Sequence, residues 1–377
     1  MKLLLYDQET QTQLLEELGK PEMVHQLKGY YEKDSTTRYS DKEFAKMMFP
    51  DSCFILHFIR SIVPNWYDEI SELKSHEIFL ARRNLFLLEN QIPYIVLTKV
   101  MNLVPDGWSE KLINKFIDHS CFVKRKRPKS KRMWLTGRSG GDEDYEKPDH
   151  LLSAVHGKHS KKSTNSKQKI NPFEFQGCNF RKVTELADVG IYFRPSRDTL
   201  SMTHIEFVKS KWWFSAYVKL PPINMSDYTR PMLLNLIAYE TCRFTIDESW
   251  VTSYVYLLGY LIDDVEDVKL LRKAWVLQNY LVSDKEVVDL FDEIGSDLVE
   301  NSDEYLEAKS KIQKHYQCWR NTLFYQLKNE YFKNPWAYIA VLGALIALFF
   351  TGVQTYFTVW GPKSTCDDLC KFLKMNL

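Results

Sequence analysis

Four acidic side chains fall within five residues at Asp263-Asp264-Val265-Glu266-Asp267. It reads D-D-x-x-D, a pattern that holds magnesium–diphosphate in all-helical enzymes, because carboxylates on adjacent helical turns suit a hard, oxygen-seeking cation. A second magnesium motif of the N/D-D-x-x-S/T-x-x-x-E kind is missing downstream. The same residues have a plainer use. Asp264 can cap the next helix, with Glu266 and Asp267 favouring its N-terminal dipole. Histidines offer less. His57 lies in the apolar run Met47–Phe58 with no second ligand at helical spacing, and is expected to be a hydrogen-bonded core residue. His150, His156 and His159 lack the acidic or cysteine partners of a defined metal site. Cysteines 53, 121, 178, 242 and 318 are scattered without CxxC pairs, as in a reduced, cytosolic set, while Cys366 and Cys370 stand apart near the C-terminus. No P-loop, GxGxxG or HExxH occurs. The reading is of a non-enzyme without cofactor, metal or small-molecule substrate.

Two other groups of residues point to contact rather than catalysis. Trp212-Trp213-Phe214 and Tyr217 concentrate the residue types enriched at binding hot spots, against the simpler use of packing a small sheet on helices. Lys124-Arg125-Lys126-Arg127-Pro128-Lys129-Ser130-Lys131-Arg132 has the composition of a nuclear-import or nucleic-acid patch. No aromatic residue interleaves for base stacking, so a solvated linker is the preferred reading and no nucleic acid is expected. With Asp142-Glu143-Asp144 and the Ser/Lys-rich stretch that follows, residues 124–169 read as one mobile excursion.

These groups need a scaffold, and its organising stretch is Leu85-Phe86-Leu87-Leu88-Glu89-Asn90-Gln91-Ile92-Pro93-Tyr94-Ile95-Val96-Leu97. Pro93 has no N–H, so a helix arriving through Phe86 must end or kink there. Asn90 is a good N-cap for a second helix over Tyr94–Val100. Glu89 then falls at a helix C-terminus, where the dipole disfavours it, and Arg82 or Arg83 is the expected partner. Leu88, Glu89, Asn90, Gln91, Ile92 and Pro93 are thus read as a structural corner whose polar groups satisfy one another.

The chain has 377 residues, 45% hydrophobic and 14% aromatic, enough for a large core. Fifty Lys and Arg against 49 Asp and Glu leave no global field to recruit nucleic acid or membrane. Met1–Leu5 is interrupted by Asp7 and Glu9 before a signal-peptide core could form. From Trp336 to Trp360 there is no charged residue, and Trp336, Tyr338, Tyr356 and Trp360 sit where interfacial aromatics belong. Roughly 20 apolar residues span a bilayer, so residues 336–359 are expected to form one transmembrane helix, followed by a short tail over 360–377.

Residues 1–332 are expected to form one predominantly α (α+β) globular domain. Ser40-Asp41-Lys42-Glu43 and Ser283-Asp284-Lys285-Glu286 read as capping boxes. Leu14–Tyr31 and a stretch from Ser109 toward Phe122 read as helices, and Val183–Asp188 as a helical turn ending at Gly190. Ile191–Phe193, His204–Val208 and Trp212–Leu220 alternate as strands of a small antiparallel sheet. The remainder reads as helices at Arg230–Tyr239, Val251–Leu261, Val268–Tyr280 and Val287–Val299, then one carrying Ile312, Tyr316, Trp319, Leu323, Leu327 and Tyr331 on a face.

Several of these stretches, taken in order, resemble the plant domain-of-unknown-function 247 family, also called uncharacterised protein family 0481. They include Asp51-Ser52-Cys53-Phe54, Leu87–Pro93, Thr184-Glu185-Leu186, Asp188–Ile191, Leu220-Pro221-Pro222 and Asn235–Glu240. Thr252-Ser253-Tyr254-Val255, Leu261–Asp264, Glu266-Asp267-Val268, Ser283-Asp284 and Tyr331–Trp336 complete the series. The family pattern accounts for the aspartates at 263–267, which weakens a terpene-synthase reading further. The family usually has Gly where Ser52 stands, Glu where His57 stands and Asp where Asn84 stands. It also usually begins with a longer N-terminal region bearing a glycine-proline-tyrosine-histidine signature, which this sequence lacks. The resemblance implies a plant, membrane-anchored protein with no established catalytic activity, some grass members being associated with self-incompatibility. The expected function is recognition or signalling through an unknown protein partner. The chain would be tail-anchored in a lipid bilayer by its C-terminal helix, with the large domain in the cytosol. An unrecognised enzyme acting at Asp263–Asp267, or a nucleus-directed protein using Lys124–Arg132, is the alternative.

Overall fold

The computed structural model describes residues 8–63, 74–103, 109–123, 147–160, 181–196, 201–203, 205–210, 215–244, 249–296, 298, 305–318, 335–360 and 371–375. Helices α1 (Gln8–Leu18), α2 (Pro21–Lys28), α3 (Lys33–Thr36) and α4 (Asp41–Ile62) open the chain. The Ser40 hydroxyl accepts from the Glu43 N–H while the Glu43 carboxylate accepts from the Ser40 N–H, so the expected capping box starts α4. Its apolar face, with Phe44, Met48, Leu56, Phe58 and Ile59 buried, packs on α1 and on α6 (Tyr94–Leu103) and α7 (Glu110–Ser120). His57 points the other way and is exposed. The expectation of a core histidine fails because the apolar residues around it fill the helix's inner face without it.

The described residues continue with α5 (Ser75–Asn84), α8 (Leu151–His159) and α9 (Val183–Asp188), then α10 (Thr229–Arg243), α11 (Trp250–Leu261) and α12 (Val265–Lys273). Helices α13 (Asp284–Ser296), α14 (Leu306–Tyr316) and α15 (Pro335–Trp360) complete the order. Trp319, Leu323, Leu327 and Tyr331 lie outside the described residues. Helix α8 corrects the idea of one mobile excursion over residues 124–169. Leu151, Leu152, Val155, His156 and His159 are buried, and the helix packs against α7, α10 and α11. Flanking low-complexity composition hid a nine-residue amphipathic helix. The basic run Lys124–Arg132 lies outside the described residues.

Strand β3 (Ala216–Leu220) is central in a sheet ordered β1-β3-β2, parallel to β1 (Ile191–Pro195) and antiparallel to β2 (Glu206–Lys209). The sheet is therefore mixed, not antiparallel. Alternation identifies strands, but it carries no information about which way neighbours run. Gly190, at φ 81°, supplies the left-handed step between α9 and β1. A second parallel pair joins β4 (Ile223–Met225) to β5 (Leu277–Asn279). Each is three residues long, too short for a period-two pattern to show.

Strand β5 also cuts short the helix expected over Val268–Tyr280. Helix α12 ends at Lys273, and Trp275 adopts φ 61° while Val276 N–H reaches back to the Leu271 carbonyl and Trp275 N–H to that of Arg272. This is a Schellman ending with tryptophan at the position that usually holds glycine. A non-glycine residue there carries about 1–3 kcal/mol of strain. Trp275→Gly is accordingly expected to raise stability by up to about 1 kcal/mol once glycine's larger unfolded-state entropy is deducted, read as an upward shift in a urea midpoint.

Helix α15 is apart in character. Residues 339–360 are long and apolar enough to cross a membrane, and among the described residues nothing buries that stretch.

Candidate functional site

Helix α5 stops at Asn84 and a single 3-10 turn, Leu88–Asn90, leads to Pro93 and α6. The corner expected from sequence is there, but a different side chain holds it. Gln91 Nε2 donates to the Leu85 carbonyl (2.9 Å), just past the end of α5, and to the Leu87 carbonyl (2.7 Å), which also accepts from the Asn90 N–H of the 3-10 turn. Its Oε1 accepts from the N–H of Leu152 in the first turn of α8 (3.0 Å), and its backbone carbonyl accepts from the Tyr31 hydroxyl (3.1 Å). Asn235 of α10 accepts from the Leu88 N–H at 2.7 Å, binding the 3-10 turn from the other side.

Glu89 is exposed, and among the described residues it pairs with neither Arg82 nor Arg83. Arg82 donates instead to the His119 carbonyl at 2.8 Å and lies over the Tyr228 ring. Exposure explains the failed expectation, since a solvated carboxylate needs no buried partner. Asn90 is also exposed, within the 3-10 turn, and is not the N-cap of α6. Ile92 and Pro93 are buried and Leu88 packs on the core, so apolar contact fixes these three.

The buried carboxylate of this region is Glu240, fully enclosed in the last turn of α10. The α10 dipole disfavours a negative charge at that end, but the side chain crosses to the start of α11, where the dipole favours one. There it accepts from the N–H of Val251 (2.9 Å), the N–H of Thr252 (2.8 Å) and the Thr252 hydroxyl (2.7 Å). His156 Nε2 of α8 lies 2.8 Å from its other side. Glu240 thus caps α11, whose own cap residue Ser249 makes no side-chain cap bond.

Ser160, His156 and Glu240 together have the residue types of a nucleophilic triad. Such a relay needs the hydroxyl and the carboxylate on opposite ring nitrogens, so that one holds the tautomer while the other exchanges a proton. Here Ser160 Oγ lies 2.9 Å from Nε2, the nitrogen that already faces Glu240, and 3.4 Å from Nδ1. The His156 ring is stacked on Phe244 and edge-on to Tyr239, its ring centroids 4.8 and 5.4 Å away. Glu240 already receives four hydrogen bonds. The arrangement ties three helices together.

Asp263–Asp267 resolves in the same way. Asp264 caps α12, accepting from the N–H of Glu266 (2.7 Å) and of Asp267 (3.2 Å). Asp267, fully buried, accepts from the N–H groups of Asp263, Asp264 and, across to α9, Thr184. Asp263 is paired with Lys182, and Glu266 with Lys269. The capping use read from sequence is the one observed. Among the described residues no group of three or more His, Cys, Asp or Glu side chains is gathered as for a metal ion.

Trp212, Trp213 and Phe214 lie outside the described residues. Tyr217, on β3, has the Arg194 guanidinium 3.5 Å from its ring centroid and the Tyr192 ring at 6.3 Å. Cys53 and Cys121 are free and buried, and burial pushes their thiols up to about 11 and about 12, which makes them poor nucleophiles.

The side chains that matter most join stretches far apart in sequence: Asn235 to Leu88, Gln91 to Leu152, Glu240 to Thr252 and Thr184 to Asp267. Tyr254 adds a fifth link, its buried hydroxyl donating to the Pro221 carbonyl, and burial raises its ionisation well above the ordinary tyrosine range. From the residues alone Asn235 was visible as part of an apolar-faced helix expected over Arg230–Tyr239 and Glu240 as the residue just beyond it; both also lie in a stretch that carried the family resemblance.

Fold and site define a class: a mainly helical α+β domain, cross-tied by buried polar side chains, with one apolar helix long enough to cross a membrane. The chain belongs to the DUF247 family, described as a plant protein of unknown function, whose model matches residues 2–350. It is similar to UPF0481 protein At3g47200 of Arabidopsis thaliana, 26% identical over 82% of this chain and 66% of that protein. It also resembles the putative UPF0481 protein At3g02645 of the same plant, 26% identical over 47% of this chain and 33% of that protein. The matched region therefore spans less than two thirds of either relative's length. No solved structure matches.

Proposed function

We propose that this protein is a membrane-anchored recognition or signalling protein that acts through contact with another protein and catalyses no reaction. The observation that carries the reading is helix α15, uncharged and predominantly apolar over residues 339–360 and left uncovered by the rest of the described residues. In water such a surface would be strongly unfavourable, at about 25 cal/mol per Å² of exposed apolar area. A bilayer removes that cost and supplies a solvent in which an all-round apolar helix is stable. Confinement to a surface also raises the effective concentration of a partner held in the same membrane. The non-catalytic part of the reading is supported by Glu240 and Asp267, whose acceptor positions are taken by backbone and side-chain donors of the fold itself. On this reading the helix is a tail anchor and the large domain faces the cytosol.

The full-length chain is expected to stay in the pellet on alkaline carbonate extraction of membranes, and a version ending at Lys333 to move to the supernatant. Protease added to sealed vesicles should digest the large domain from the cytosolic side. Extraction of the intact chain by carbonate would overturn the anchor, and a protected large domain would overturn the orientation. Partner contact is tested by proximity labelling of the intact protein in its own tissue. Magnesium-dependent turnover that Asp263→Ala abolishes would overturn the non-enzyme reading.

A further inference from the structure

The first turn of α8 is held from several directions at once. Gln91 Oε1 accepts from the Leu152 N–H, the Asp149 carbonyl accepts from the Tyr94 N–H at 2.6 Å, and Arg243 pairs with the Asp149 carboxylate. One turn further along, His156 meets Glu240. The cap of the helix is His150. Its Nδ1 accepts from the N–H of Ser153 at 3.1 Å, and its own N–H donates to the Ser153 hydroxyl at 3.0 Å. Accepting at Nδ1 requires a lone pair there, so the cap exists only while that nitrogen carries no proton.

We propose that this turn is an acid-sensitive latch: a proton on His150 Nδ1 replaces the acceptor with a donor facing the Ser153 N–H and opens α8 from Gln91 and Glu240. Opening exposes Leu151, Leu152 and Val155, which are buried when the latch is shut. It is thus a device for presenting an apolar surface next to the corner as the pH around the domain falls, and it does not depend on the function proposed above.

The groups around the ring agree with this role. From α10, Tyr239 meets it edge-on with centroids 5.2 Å apart and Arg243 stands nearby, while Asp149 is its neighbour in the chain. The corner meets the turn through the uncharged groups Gln91 and Tyr94. Burial is the main cause that lowers His150 to about 4; Asp149 partly offsets it and Arg243 adds to it. The sign follows from linkage. The closed state binds a proton only near pH 4, whereas an opened, solvated histidine binds one near its ordinary value of about 6.5. Between those values the open state holds more protons, so acid favours opening and stability of the closed turn rises with pH.

Amide hydrogen exchange on the full-length chain in lipid nanodiscs tests the latch, with rates corrected for the intrinsic effect of pH. The opening constant for residues 152–160 is expected to rise roughly twentyfold from pH 7 to pH 5, while amides in the middle of α4 keep their protection. His150→Asn and His150→Ser supply non-titrating caps and should each hold that constant within about twofold over the same range. His156→Gln should keep the rise. The proposal is overturned by a flat wild-type profile, by an undiminished rise in both cap variants, by loss of the rise in His156→Gln, or by α4 opening together with α8.

Discussion

Replacing Glu240 by alanine is expected to lower the stability of the detergent-solubilised full-length chain by about 3–5 kcal/mol, the range for removing one partner of a buried charged cluster. The loss has three sources. The buried Val251 N–H and the half-buried Thr252 N–H and hydroxyl lose their acceptor. The start of α11 loses its only side-chain cap among the described residues. His156, buried against Phe244 and Tyr239, loses the group that orients it. Glu240→Gln keeps an acceptor oxygen but turns its amide hydrogens toward existing donors, and should recover only part of the loss. Urea unfolding followed by far-ultraviolet circular dichroism measures both variants. A loss below about 1 kcal/mol for the alanine variant would mean that water or a rearranged side chain replaces the carboxylate, and that the node does not hold α8, α10 and α11 together.

Glu240 also shows why the sequence disclosed the scaffold better than the ties within it. Local signals survived intact: the Ser40 and Asp264 caps, the Gly190 step and the all-apolar run of α15 each depend on residues a few positions apart. So did most of the longer helices and the three strands of the β1-β3-β2 sheet, because periodicity is a local property. Strand direction in the β1-β3-β2 sheet, the short β4–β5 pair and the burial of α8 depend on what lies across the fold. Polar residues suffered most from this blindness. Glu89 looked like a carboxylate in need of a partner because it sits in an apolar sentence; the fold leaves it exposed. Glu240, just past the helix expected over Arg230–Tyr239, drew no structural role from the sequence, yet it is fully buried, since its partners lie on α8 and α11. His57 and His156 changed places in the same manner, the first exposed and the second enclosed. A polar residue's role is set by the donors and acceptors that tertiary structure brings to it, and those are not its neighbours in the chain.

The corner offers the second large effect and a direct contrast. Gln91→Ala is expected to cost about 2–3 kcal/mol, whereas Glu89→Ala, two residues away, should change stability by no more than about 0.5 kcal/mol. Gln91 bonds two carbonyls after α5 and one N–H at the start of α8, all in half-buried surroundings, so truncation leaves the Leu85 carbonyl and the Leu152 N–H without that partner, while the Leu87 carbonyl keeps only the Asn90 N–H. Glu89 leaves behind only solvent-facing surface. Gln91→Glu is the sharper variant: it conserves size but aims a carboxylate at the Leu85 and Leu87 carbonyl oxygens, and should cost at least as much as alanine. Because Gln91 and Glu240 both hold α8, the double variant Gln91→Ala, Glu240→Ala should lose less than the sum of the single losses, with a coupling of about 0.5–3 kcal/mol. Strict additivity in the double-mutant cycle would show that α8 does not transmit between the corner and the α10–α11 junction. Equal losses for Glu89→Ala and Gln91→Ala would return the organising role to the carboxylate.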